Sequence, residues 1–153
     1  MRVSDALVGP AIVRPGWHTF EAAVEGLVQR LVDAGRLPAS LAATAAQRIR
    51  EREAIAGTAM VDIGVSIPHA RVDGVANIVA TIAVAPDAVY EVAAGLPISI
   101  VVLVLSSATL SGEHLNFLSA LSMLLQSATT REALRNATTP DAVLRIVQAN
   151  EGR

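Results

Sequence analysis

The octapeptide ISIVVLVL, Ile98 to Leu105, is the strongest constraint on the fold of this chain. β-Branched side chains lose rotamer freedom in a helix and pack well on a pleated surface. The run lacks the polar alternation of a strand with one wet face. Strands of this kind lie in the middle of a sheet that is covered on both sides. NIVATIAVA, Asn77 to Ala85, is likewise β-rich and apolar on both faces. Both runs have buried-strand length, far short of the roughly 18 apolar residues that cross a membrane.

Helices must supply the two covers. From Thr19 onward, Phe20, Val24, Leu27, Val28, Leu31 and Val32 form one apolar stripe at helical spacing, and Gly35 is a natural stop. Pro38 and Ser40 mark a turn into a second helix over 41–54, heavily charged at its end. A third helix is expected over 113–126, with Ser111 or Gly112 as its cap. Thr130 is expected to cap a short helix to Asn136. Thr139 and Pro140 open the last one, which runs to Ala149, in the first positions these residues favour. Residues 11–13 and 65–67 read as short strands, 57–64 as a loop and 106–112 as a small-residue loop. Residues 1–10 and 150–153 read as loose ends of one domain over 1–153. Helices, then strands, then helices predict an α/β fold: a three-layer αβα sandwich with a small mixed β-sheet.

Composition removes whole classes of chemistry. All 12 basic residues are arginine and there is no lysine, which excludes the Walker phosphate loop, Schiff bases and Ser–Lys mechanisms. No Gly-x-Gly pair is present for a dinucleotide, and no G-x-S-x-G for a serine hydrolase. Cysteine is absent, so there is no disulfide, thiol nucleophile or thiolate metal site. A net charge of −2 gives no basic face for nucleic acid. MRVSDALVGP has no apolar segment of signal-peptide type, and a cytoplasmic location is the expectation.

Three polar residues carry the candidate chemistry. His69 follows Ile67 and Pro68 at the end of a short strand. Pro68 fixes its own φ and keeps Ile67 extended, so the histidine leaves the sheet at a defined point. It reads either as a turn histidine or as a nucleophile, since imidazole is largely neutral at pH 7. His114 falls near the second or third position of the third helix, and reads either as a helix-start histidine facing solvent or as part of an anion site at the free N–H groups there. Arg52 is either part of a solvated charged face or a fork aimed at phosphate. The spacing from 69 to 114 offers no short ligand pair, so no metal is expected. His18, beside Trp17, reads as structural.

Arg52-Glu53, then Gly64-Val65-Ser66-Ile67-Pro68-His69-Ala70-Arg71, Gly95-Leu96-Pro97-Ile98 and His114-Leu115 with Leu118 and Leu121 stand in a recognisable order. Over residues 10–150 the chain resembles the enzyme IIA domain of the fructose/mannitol type in the bacterial phosphoenolpyruvate-dependent phosphotransferase system, including its nitrogen-regulatory branch. The resemblance implies that His69 accepts a phosphoryl group from an HPr-like phosphodonor and passes it to a IIB domain. In the regulatory branch it implies that phosphorylation controls binding to a regulatory protein. His114 would donate to the phosphoryl oxygens, and Arg52 would neutralise their charge, with Ser111 and Gly112 as further phosphate-binding residues. It implies no cofactor, no metal and no direct membrane insertion; association between copies stays open. The chain departs from the family pattern in the segment APDAVYEVAAG and at Ala94, where an Asp is usual. A silent transporter-domain relative is the third reading; such domains lack the histidine.

Overall fold

The computed structural model of the protein describes residues 2–152. β4 (Val79–Val84) and β7 (Ile100–Ser106) are buried at every position and pair antiparallel. β1 (Ile12–Val13) lies parallel to β4 on its outer side. On the other edge, β7 pairs parallel with β2 (Val65–Ser66) and then with β3 (His69–Arg71). The sheet is therefore mixed. A separate antiparallel pair joins β5 (Tyr90–Glu91) to β6 (Pro97–Ile98).

Strict alternation along β7 builds two cores. Val101, Leu103 and Leu105 face α2 (Phe20–Asp33) and α3 (Ala42–Ile55). Ile100, Val102 and Val104 face α4 (Ser111–Gln126), α5 (Ala128–Arg135) and α6 (Pro140–Asn150). These layers are the expected α/β sandwich. The apolar stripe of α2 supplies Val24, Leu27, Val28 and Leu31 to its core. Thr19 Oγ1 caps that helix by accepting from Ala22 N, and the chain leaves through Gly35 at φ 72°. There Arg36 N donates to Leu31 O and Gly35 N to Val32 O, which satisfies the last carbonyls.

Several local expectations are corrected. Residues 2–10 are not a loose end: Val3–Ala6 forms a short helix, α1, with Val3 and Ala6 buried among the α4–α6 core residues. Ser4 N and Oγ both donate to the Glu151 carboxylate, which ties the two ends of the fold together. ISIVVLVL is not one strand. At Ser99 the pairing changes sheets, its N–H donating to Gly64 O and its hydroxyl to Asp87 O, and Ile98 pairs in the small sheet. α4 starts at Ser111, and its N-cap is Leu110 without a side-chain bond. Ser127, not Thr130, caps α5, accepting from Thr130 N. Thr139 caps α6 as expected.

Candidate functional site

The edge of the sheet beside β7 is interrupted at Ile67-Pro68. Pro68 has no N–H to give to a ladder, and its carbonyl accepts from Val104 N at 2.9 Å. Pairing resumes at His69, opposite Val104. His69 is thus the first residue of a new strand rather than a residue leaving the sheet. The break turns its ring back, and Nδ1 lies 2.8 Å from Ile67 O. A carbonyl only accepts, so Nδ1 carries the proton. Nε2 is left with its lone pair, the nucleophilic form of the ring.

His114 approaches from the opposite side. It is the fourth residue of α4, one or two positions deeper than the sequence indicated, and it is buried. The two rings stand 5.4 Å apart between centroids, tilted by 54°. His114 Nδ1 is hydrogen-bonded to the hydroxyl of Ser106 at the end of β7.

Arg52 comes from the last turn of α3. Its Nη1 donates to Ala56 O at 3.0 Å, which holds the guanidinium across the helix end. The next residue, Glu53, fixes the following loop by accepting from Thr58 N at 2.7 Å and from the Thr58 hydroxyl.

His69, His114 and Arg52 line one open cleft of about 400 Å³, together with Arg48, Glu51, Arg71, Ile55, Leu115 and Leu118. Ile55 and Leu115 are largely exposed at its rim. Burial lowers the pKa of His69, its bond to Ile67 opposes this, and Arg52 and Arg71 push the same way as burial. Burial, then positive charge on His69, Arg71 and Arg52, lower His114 to about 4. Both rings are therefore neutral at pH 7, in a cleft where three arginines outnumber one carboxylate, Glu51. Such a site suits a dianion held against a neutral nucleophile.

Of the residues singled out in the sequence, His69, His114 and Arg52 are brought together. Ser111 and Gly112 do not join that lining; both are exposed, and the Ser111 hydroxyl donates to Ala108 O. Among the described residues no cluster of three metal-ligating side chains exists. Two residues near the site had no role in the sequence reading. Arg71 stands in the motif around His69 and, two positions on along β3, shares its strand face. Ser106 was read as loop; the alternation of β7 carried one residue further would have placed it on the α4 face.

Residues 12–150 match the family described as "Phosphoenolpyruvate-dependent sugar phosphotransferase system, EIIA 2". The chain belongs to this family. The EIIA domain is also 33% identical over 135 residues to the "PTS system fructose-specific EIIA component" of Haloferax volcanii, spanning 85% of this chain and 86% of that one. Among solved structures it resembles the nitrogen regulatory protein IIA-Ntr from Neisseria meningitidis, with a TM-score of 0.71, 21% identity and coverage of 95% and 94%. It also resembles enzyme IIAMTL in its complex with phosphorylated enzyme IIBMTL from Escherichia coli, with a TM-score of 0.69, 18% identity and coverage of 97% of each chain. At these identities the two likenesses concern the fold. No helix among the described residues is long and apolar enough to cross a membrane.

Proposed function

We propose that this EIIA domain is a phosphocarrier in which His69 Nε2 takes a phosphoryl group from a phosphohistidine on an HPr-like donor and passes it to a IIB domain in the cytoplasm. One observation carries the reading: His69 Nδ1 is spent on Ile67 O, so its free lone pair opens into a cleft shared with His114 and Arg52. In the step, the P–N bond to the donor ring breaks as the P–Nε2 bond forms. His69 keeps its Nδ1 proton, and the Ile67 carbonyl stabilises the positive charge that the ring gains. Arg52 and Arg71 offset the phosphoryl charge, and His114 offers an N–H. Phosphoryl transfer needs mainly such positioning and charge neutralisation. The exposed Ile55 and Leu115 give a protein partner an apolar place to rest. Ser111 and Gly112 have no part in this reading.

Incubation with phosphoenolpyruvate, enzyme I and HPr should load one acid-labile phosphoryl group per chain, absent in His69→Ala. No label from a matched donor would overturn the proposal. The identity to a fructose-specific component favours a IIB acceptor over a regulatory target. Pull-downs with His69→Asp and His69→Ala decide between them: partner sets that differ with the charge at 69 point to regulation.

A further inference from the structure

Nδ1 of His114 has one partner, the hydroxyl of Ser106. Ser106 ends β7 and is fully buried. Alternation along the strand turns its side chain to the α4 face. The ladder places Arg71 beside it, and its carbonyl accepts from Val72 N at 2.7 Å, so the backbone bearing the hydroxyl is fixed. The hydroxyl meets His114 Nδ1.

This bond can be written two ways. If Nδ1–H donates to the hydroxyl, the serine proton needs an acceptor of its own. Ser106 Oγ has no other hydrogen bond among the described residues. A buried hydroxyl proton without an acceptor costs about 1–3 kcal/mol. If the hydroxyl instead donates to the Nδ1 lone pair, nothing is stranded, and the single proton of a neutral imidazole sits on Nε2. We infer that Ser106 is a positioning residue, which fixes His114 as the Nε2–H tautomer directed into the cleft beside His69.

The consequence rests on the phosphocarrier reading; the tautomer does not. A neutral ring has only one N–H to give. With the proton on Nδ1, His114 would turn a lone pair toward the phosphoryl oxygens and repel them. A hydroxyl that never touches the phosphoryl group therefore decides whether the second histidine attracts it. His114 stays neutral well below pH 7 because burial opposes its protonation, so the choice of tautomer persists over the working range.

Long-range proton–nitrogen NMR of the imidazole rings in the whole chain at pH 7 tests the inference directly. The expected result for His114 is an unprotonated Nδ1 and a protonated Nε2. Transfer from phosphorylated HPr to His69 is then timed in variants. Ser106→Ala should slow it by about tenfold or more, the usual loss when the partner orienting a working histidine is removed. Ser106→Thr keeps the hydroxyl and should recover most of the rate. A protonated Nδ1 in the unaltered chain, or wild-type transfer by Ser106→Ala, overturns the inference. If His69 accepts no phosphoryl group while His114 shows the expected tautomer, the phosphocarrier reading fails and the assignment of Ser106 stands.

Discussion

His69 and His114 face each other with centroids 5.4 Å apart, each with its Nδ1 engaged by a different part of the β3–β7 ladder region. Ile67 O holds the first and Ser106 Oγ the second. The same nitrogen is used oppositely: it donates in His69 and accepts in His114. One ring thereby presents a lone pair to the cleft and the other a proton.

His114→Ala should lower the rate of phosphoryl transfer to His69 by about 100-fold, the scale seen when one preorganised donor is removed from a charge-developing site. His114→Gln, which still has an N–H to give, should recover part of that loss. Rapid-quench timing of labelled chain checks both, and equal rates for all three chains would remove His114 from the chemistry.

Arg52→Ala should slow the same transfer by about 10- to 100-fold, matching the loss of a hydrogen bond to a charged group. Arg52→Lys should fall between, because the ammonium keeps the charge and loses the planar fork. A lysine variant indistinguishable from wild type would mean that charge alone is used.

Acid should weaken the fold through His114. Its folded pKa of about 4 lies below the ordinary value of 6.5, so between these limits the unfolded chain binds a proton that the folded chain does not. Stability from this group is intact above pH 6.5 and is lost as pH falls toward 4, by about 3 kcal/mol in all. Urea unfolding of wild type and His114→Gln at pH 7 and pH 4.5 measures it. The wild type should lose more stability than the variant over that interval; equal losses refute the buried neutral ring.

Gly26→Ala should destabilise the chain by about 1 kcal/mol, although alanine is the better helix former. A Cβ at Gly26 would stand 2.0 Å from Trp17 Cζ2, so the indole that lies over α2 must move. Trp17 is the only tryptophan, and its emission should shift to the red. An unshifted spectrum with raised stability would contradict the packing.

How much of this was legible in the residues follows from the range of the forces involved. α2 was readable because its stripe, its Thr19 cap and its Gly35 exit all lie within one short stretch. β4 and β7 were readable because burial on both faces leaves no polar residue to interrupt them. α1 was not, because the helices it packs on, α4 and α6, lie more than a hundred positions away. The break at Ser99 was hidden because the groups that hold it, Gly64 O and Asp87 O, lie outside the apolar run. In the site, His69 stood out through Pro68, and its family pattern carried Arg52 and His114. Ser111 and Gly112 were attractive as a helix start, but α4 directs His114 inward from its second turn and leaves that start facing solvent. Ser106 could not be paired with His114 until the length of β7 was known.

The Ser4–Glu151 clasp brings the start and finish of the fold to one point. A short tether can therefore join them, and the ring so formed can be reopened at the exposed Ala93–Gly95 turn. Such a permuted protein would place β7 near its new beginning and its partner β4 near its end, so that synthesis order and final geometry can be varied independently.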